Sequence, residues 1–462
     1  MENVRVQDII NVTNGRLLCG NENISIENII INSKDSENNA LFVPIIGERV
    51  DAHNFISEAL QNGAAASLTS KKNAKLNLNE VNENKAVILV EDTLKALQAL
   101  AKYYRKRFTL PIVGVTGSVG KTSTREMIAA ALSAKYKTFK TKKNLNGQIG
   151  VPITLSNLSN TDEIAVLEMG ISEENEMEKL VEMVRPDVAV ITNIGIAHIE
   201  QLGSKENIRN EKLKIIDKMF DCGKVFLNAD DDMLLELKDK LKQDIIYYGL
   251  NNKAQYYAKD IDTASGFPEF IAVCRGTEIK VKLSVIGKHN VQNAMVALAV
   301  ADCYGVFLKD AVKEIENYKG AAGRGKILYK NDIIIIDDVY NASPDSMISG
   351  LNSLLDIQIA GKKIAVLADM KELGAESIRY HREIGEYIAD KNIDILICIG
   401  ELAKEIAVSA KSNPKDTIDI QMFASNILAI KYLKDNIKGG DAVWIKGSNS
   451  MKLNEIIESL AK

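Results

Sequence analysis

The sequence predicts an α/β protein of three domains: a small N-terminal α/β domain, a central parallel-sheet domain built around a P-loop, and a C-terminal Rossmann-like domain. Three observations lead there. At 462 residues the chain exceeds what one hydrophobic core holds, and ~150 residues per domain suggests about three. The stretch Thr116-Gly117-Ser118-Val119-Gly120-Lys121-Thr122 follows an apolar run and opens a helical pattern, the arrangement that cradles phosphate. Two long regions alternate continuous apolar runs with helical patterns, as strands buried on both faces do in doubly wound sheets.

Residues 1–85 hold short strand-like runs (Ile29 to Ile31, Leu41 to Val43) and a Gly-Ala-rich helix-to-strand turn at Asn62 to Ala66, which reads as a small α/β domain. A helical linker is expected over 86–110, with apolar positions Leu94, Leu97, Leu100 and Tyr104, ended by Pro111. The central domain, 111–318, alternates strand and helix: Ile112 to Val115, a helix from Lys121, Ile164 to Leu167, a helix near Glu174 to Met183, then Val188 to Ile191. The third domain, 319–462, has apolar strands at Ile333 to Ile336, Ile364 to Leu367, Ile393 to Ile399 and Ala442 to Ile445, each followed by a helical pattern.

Composition narrows the function classes. The chain is 46% hydrophobic and 26% charged with 7 prolines, which fits a compact protein rather than a disordered or fibrous one. Its 58 basic and 62 acidic residues are interspersed for a net charge of -4, and no basic stretch could track a polyanion, so nucleic-acid binding is disfavoured. The five cysteines are scattered and show no metal spacing, which marks them as reduced core residues. No apolar run approaches the roughly 18 residues of a membrane span and no signal-peptide core follows Met1, so no membrane insertion is expected and the cytoplasm is the expected compartment.

The motifs carry the chemistry. In the loop, Gly117 and Gly120 let the backbone approach phosphate, Lys121 supplies a charge and Thr122 a hydroxyl for magnesium, which implies use of ATP. Val115 stands where the standard G-x-x-x-x-G-K-[ST] pattern has its first glycine. Glu168 ends the next apolar strand, where a carboxylate could complete a magnesium site with Thr122 or be an ordinary strand-end acid. His198 follows the strand and turn Thr192 to Ala197; a lone histidine is more often structural than a ligand. Lys212, on the helix beyond, could be a plain surface lysine. Asn290 and Asn293, one turn apart at the start of a long apolar helix, could hydrogen-bond a nucleobase, though capping is the favoured reading from the residues alone. Arg324, in Gly323-Arg324-Gly325, could reach a phosphate across a cleft or be solvated turn chemistry, and Asp337-Asp338 ends the first apolar strand of the third domain.

Taken together and in this order, these motifs resemble the Mur ligase family along essentially the whole chain. The family's loop has the form T-G-x-x-G-K-[TS]-[ST], which accounts for Val115. The resemblance is sharpened by Asp338-Val339-Tyr340-Asn341-Ala342-Ser343-Pro344-Asp345-Ser346-Met347, by Ala368-Asp369-Met370-Lys371-Glu372-Leu373-Gly374 with His381 downstream, and by Lys446-Gly447-Ser448. Asn144-Leu145-Asn146-Gly147-Gln148-Ile149-Gly150-Val151-Pro152 looks like the segment facing the muramyl substrate.

The resemblance implies an ATP- and magnesium-dependent amide ligase acting through an acyl phosphate, with UDP-N-acetylmuramoyl-tripeptide and D-alanyl-D-alanine as substrates, and a monomer is expected. It places Thr116, Gly117, Ser118, Val119, Gly120, Lys121 and Thr122 on the ATP phosphates, Asn290 and Asn293 on adenine, Arg324 on phosphate and Asp338 on ribose. Thr122 and Glu168 would hold one metal and His198 a second. Lys212 would carry CO2 as a carbamate that serves as a metal-binding carboxylate. Ser33, Asn144, Asn146, Tyr340 and Asn341 would face the remaining substrate. The chain departs from the family's common pattern at Asn32-Ser33-Lys34 (often Asp-Ser-Arg), Ala52 (glycine), Lys214 (glutamate), and Ser343 and Gly147 (asparagine). Other readings are a diaminopimelate- or lysine-adding relative, a folylpolyglutamate synthase, or, in a different class, a P-loop regulatory ATPase without ligation. The Asp-Asn-Pro-Arg stretch usual in diaminopimelate adders is absent.

Overall fold

In the computed structural model, which describes residues 1–35, 37–71, 84–220, 222–411 and 418–461, three large sheets follow one another along the chain, with a two-stranded pair, Val4–Arg5 and Ser25–Ile26, beside the first. The N-terminal sheet has five strands in the order Arg16–Gly20, Ala86–Leu89, Ala66–Thr69, Ala40–Phe42, Asn28–Ile30, antiparallel only at the first pair. The run Ala86–Leu89 therefore lies inside this sheet, past the boundary at 85 that composition suggests. Four consecutive small and aliphatic residues form a strand buried on both faces, which is the pattern of a parallel interior strand.

The helix Thr93–Arg105 is N-capped by Asp92, whose carboxylate accepts from the amides of Leu94 and Lys95. A free linker would leave its apolar stripe in water. Instead Ala96, Leu97, Leu100, Ala101 and Tyr104 are buried in a core shared by the N-terminal sheet and one face of the central sheet. The Tyr104 hydroxyl accepts from the Glu2 amide (2.8 Å) and donates to the Leu158 carbonyl (2.9 Å), fixing the helix at both sides.

The central sheet has nine strands, and its middle strand pairs place the phosphate loop. Ile112–Thr116 lies between Ile164–Glu168 and Val188–Ile191, parallel to both. The chain leaves Ile112–Thr116 toward one side and returns to the other, so the carboxyl end of this strand is a topological switch point, where doubly wound sheets open a crevice. Beyond Asp244–Gly249 the sheet continues through Tyr256–Asp262 and turns antiparallel at Glu269–Cys274 and Thr277–Lys282, an extension not anticipated from the sequence. The apolar helix His289–Cys303 packs against that half together with Lys121–Ser133, and its residues 294 to 301 are all buried.

The third sheet runs Lys326–Lys330, Ile333–Asp338, Ala442–Lys446, Lys363–Ala368, Ile395–Ile399, Asp419–Phe423, parallel except at the first pair. Asp338 and Lys446 are paired neighbours at the carboxyl ends of adjacent strands, which sets two opposite charges side by side.

Candidate active site

Sheet geometry gathers most of the singled-out residues around one cavity of about 870 Å³ between the central and third domains. Ser118, Val119, Gly120, Lys121 and Thr122 of the loop line it, with Asn144, Asn146, Glu168, His198 and Asn293 from the central domain. Arg324, Asp338, Tyr340 and Asn341 line it from the third. Thr116, Gly117, Asn290 and Lys212 lie behind that lining, and Ser33 sits away from it in the turn Ser33–Asp35 of the N-terminal domain, its carbonyl accepting from the Asn62 side chain.

The loop is shaped from below. Gly117 takes φ 146° with Thr192 so close that a Cβ would lie 1.9 Å from its Oγ1, so only glycine fits. The Ser118 and Val119 amides donate to the Asn193 carbonyl and side-chain oxygen, both at 3.0 Å, while the Thr192 hydroxyl donates to the Val119 carbonyl at 2.6 Å. Two of the amides expected on phosphate are therefore engaged with Asn193. The amides of Lys121 and Thr122 begin the helix Lys121–Ser133, where helical geometry supplies no internal partner and the dipole favours an anion. Lys121 Nζ folds back on the carbonyls of Gly117 (2.8 Å) and Ser118 (3.2 Å). Burial pushes its ammonium down to about 8, against the opposing pull of Glu168 and with a further push from Arg324. A Gly117→Ala substitution is expected to weaken ATP binding at least about tenfold, since it strains both the left-handed backbone and the loop's support, at ~1–3 kcal/mol. Titration with a fluorescent ATP analogue checks this.

Glu168 is 1% exposed and fully occupied. Its Oε2 accepts from the Thr122 hydroxyl and from Arg125 Nη1, both at 3.0 Å, and its Oε1 accepts from the Asn146 amide at 2.8 Å. Arg125 was not singled out in the sequence, because a mid-helix arginine reads as a solvated face. Here it is buried, pairs also with Glu126, and donates to the Lys143 carbonyl. It carries the countercharge for Glu168 and ties the loop helix to the Asn144–Asn146 segment.

Lys212 is the largest surprise for a residue that reads as surface. It is 1% exposed on the helix Lys205–Leu213, and among the described residues no carboxylate lies within ion-pair distance of its ammonium. Burial, then the nearby Lys121 charge, hold its ammonium well below the ordinary lysine range, with Glu211 opposing. Lys214, where the family commonly has glutamate, faces elsewhere, since residues two apart on a helix point to different sides. Its Nζ binds Glu178 and Glu211 at 2.8 Å each and the Asn175 side chain at 3.1 Å, and those contacts hold its ammonium above the usual range. Glu211 in turn accepts from the Met177 amide, so this cluster fixes the Lys212 helix against the helix Glu176–Val184.

Asn290 and Asn293 do not cap their helix, contrary to the reading favoured from the residues alone; the N-cap position is Lys288, without a side-chain cap. Asn293 Oδ1 accepts from the Thr124 hydroxyl (2.9 Å), its NH₂ donates to Asn290 Oδ1 (2.9 Å), and Asn290 donates to the Ile286 carbonyl (2.7 Å). This relay fastens the two helices on which the site stands, and Asn293 reaches the cavity.

The third-domain wall divides its two adjacent acids by strand alternation. Asp337 points back, accepting from the Gly323 amide (2.9 Å) and so fixing the turn of Arg324. Asp338 faces the cavity with Lys446 Nζ at 2.9 Å. The Arg324 guanidinium lies 3.8 Å from the centre of the Tyr340 ring, a cation–π arrangement that holds it in the cavity wall. His198, in the left-handed region at φ 62°, is bonded through Nδ1 to Glu372 of the third domain at 2.8 Å. His289 Nδ1 meets the Ser349 hydroxyl across the same junction at 2.9 Å. Neither contact is visible in the sequence, because each joins residues far apart in the chain.

Among the described residues no three His, Cys, Asp or Glu side chains converge on one point. The donors present suit magnesium nonetheless. It favours hard oxygen ligands, one or two carboxylates, and takes the rest from phosphate and water. Glu168 with the Thr122 hydroxyl against its Oε2 supplies that minimum.

Comparison with known proteins matches three family descriptions along the chain: "Mur ligase family, catalytic domain" over residues 25–105, "Mur ligase middle domain" over 115–301, and "Mur ligase, glutamate ligase domain" over 323–449. A UDP-N-acetylmuramoyl-tripeptide–D-alanyl-D-alanine ligase of Bacillus subtilis (strain 168) is 37% identical over 442 residues, 95% of this chain and 94% of that protein. Among solved structures, MurF from Acinetobacter baumannii superposes with a TM-score of 0.87 at 28% identity, covering 99% of this chain and 98% of that one. The MurF ligase of Thermotoga maritima in complex with ADP gives 0.81 at 30% identity, over 94% and 97% of the two chains.

Proposed function

The chain belongs to the Mur ligase family, and on that premise we propose that it is the ATP-dependent ligase that joins D-alanyl-D-alanine to UDP-N-acetylmuramoyl-tripeptide in the synthesis of the peptidoglycan precursor. The observation that carries this is the cavity lined together by the phosphate loop, Glu168, Arg324 and Asp338, with Lys212 buried near Lys121. A site built from two domains closes on its nucleotide and excludes water, which an ATPase without an acceptor does not need.

A carboxylate is a poor electrophile, so the tripeptide's terminal carboxylate must first be activated. One of its oxygens attacks the γ-phosphorus of ATP, ADP leaves, and an acyl phosphate forms. The amine of D-alanyl-D-alanine then attacks the acyl carbon, loses a proton, and phosphate leaves with the carboxylate oxygen it acquired. Lys121 and the amides that begin its helix hold the phosphates, while Arg324 brings a second cation from the other wall. Asn293 faces adenine and Asp338 the ribose. Asn144, Asn146, Tyr340 and Asn341 face the muramyl-peptide side, and Ser33 the uridine nucleotide. With CO2 present, the neutral amine of Lys212 would add it, forming an N–C bond and releasing a proton, and so would set a carboxylate beside Lys121. Magnesium, held by Thr122, Glu168, His198 and that carbamate, would neutralise the crowded anions. The reaction consumes ATP and a UDP-linked precursor, both made inside the cell, which supports the cytoplasm as its compartment.

The direct test supplies ATP, magnesium, UDP-muramyl-tripeptide and D-alanyl-D-alanine and follows the nucleotide product by mass. The expected product carries the added dipeptide less one water. Phosphate release that ignores the acceptor, with no product, would overturn the assignment in favour of a regulatory ATPase.

A further inference from the structure

The stretch Asp369 to Gly374 reaches no nucleotide role in the mechanism, yet the structure fixes it with unusual thoroughness. Asp369 Oδ1 accepts from the amides of Leu402 (3.0 Å) and Ala403 (2.8 Å) at the start of the helix Ala403–Ala410. The Met370 amide donates to buried His381 Nε2 (3.0 Å), and the Lys371 amide donates to the Ser448 hydroxyl (2.9 Å). Gly374 lies against the Glu200 side chain of the central domain, where a Cβ would stand 3.3 Å from its Cγ. What this scaffold delivers is one carboxylate. Glu372, in the left-handed region at φ 64°, crosses the domain junction and meets His198 Nδ1 at 2.8 Å. His198 takes φ 62°, so both partners adopt a backbone that side chains rarely favour in order to meet. Both line the cavity.

A carboxylate on one ring nitrogen of a histidine fixes the proton there and leaves the other nitrogen with its lone pair. We propose that Glu372 is a positioning residue for the metal: it holds His198 in the Nδ1–H tautomer and so presents Nε2 as a magnesium ligand when the third domain sits on the central one. The inference rests on the reading of His198 as a metal ligand. It makes the metal site complete only with a residue from the domain that also brings Arg324 and Asp338, so that domain closure and metal binding assist each other.

The test compares wild type with Glu372→Ala, Glu372→Gln and His198→Ala. In metal-free protein, ¹⁵N NMR of the His198 ring, assigned by its loss in His198→Ala and recorded where the ring is neutral, is expected to show the Nδ1–H tautomer in wild type and a mixture in Glu372→Ala. The magnesium concentration giving half-maximal ligation is expected to rise about 10- to 100-fold in Glu372→Ala. Glu372→Gln, whose amide oxygen still accepts from Nδ1, is expected to restore both. An unchanged tautomer and magnesium requirement in Glu372→Ala, alongside a raised requirement in His198→Ala, overturns the positioning role alone. An unchanged requirement in His198→Ala overturns the metal reading and the proposal with it. Failure of Glu372→Gln to restore the tautomer overturns the proposal as well, since charge rather than proton placement would then matter.

Discussion

Lys121→Ala is expected to lower kcat/KM for ligation by on the order of a hundredfold or more, with the fold unchanged. Removing one preorganised group that faces developing charge typically costs ~10²–10³ in rate. The structural cost is small. The side chain lies at the cavity wall and its two hydrogen bonds go to the Gly117 and Ser118 carbonyls, each worth about 1 kcal/mol net. Circular dichroism and thermal unfolding should therefore overlay those of wild type within a few degrees. A variant that unfolds would instead make the lysine structural. The same residue sets a pH dependence. Its ammonium titrates at about 8 in the free protein, and the cation is the form that binds phosphate. Above that pH, binding ATP must take up a proton, so affinity is expected to fall with rising pH, by at most about tenfold per unit. Calorimetry in buffers of different ionisation heat reads the proton uptake directly.

Lys212→Met is expected to separate activity from stability. Methionine keeps all but the last atom of the side chain's length and removes an amine that burial disfavours, so the variant should be at least as stable as wild type, by ~1–3 kcal/mol where the amine is unpaired without CO2. Ligation should fall by on the order of a hundredfold, because the proposed carbamate cannot form. Removing CO2 from wild type should lower activity, and bicarbonate should restore it, in wild type but not in Lys212→Met. The linkage sign gives an independent check. A folded-state lysine held well below its ordinary 10.5 binds fewer protons than the unfolded chain in the window beneath that value. Stability of CO2-free wild type therefore rises with pH toward 10.5. Lys212→Met should lack that component of the slope, and Lys212→Met losing both stability and fold would contradict the account.

Local order in the sequence decided what was legible. Thr116 to Thr122 is one continuous strand, turn and helix start, so its shape follows from contiguity, and the place of Glu168 beside it follows from its lying at the end of the neighbouring strand. The apolar strands of the third domain were legible because strands buried on both faces need unbroken aliphatic runs. Residues whose meaning depends on a partner distant in the chain were not. Arg125 looks like a solvated helix charge until Glu168 is brought to it, and Glu372 looks like a loop acid until His198 arrives from another domain. Asn290 and Asn293 have the residue type of caps, but Thr124 and Ile286 take their amide groups first. The antiparallel extension at 256–282 did carry a signal, since Glu278 to Val285 alternates polar and apolar residues as a half-buried strand does, but with no chemical motif beside it that pattern was passed over.

Carboxylate activation in this cavity is the central claim, and one isotope measurement tests it most directly. With both oxygens of the tripeptide's terminal carboxylate labelled as ¹⁸O, the account predicts that each turnover delivers one ¹⁸O to inorganic phosphate and leaves the other in the new amide carbonyl. Unlabelled phosphate, formed while ATP is consumed at the same rate, would contradict it.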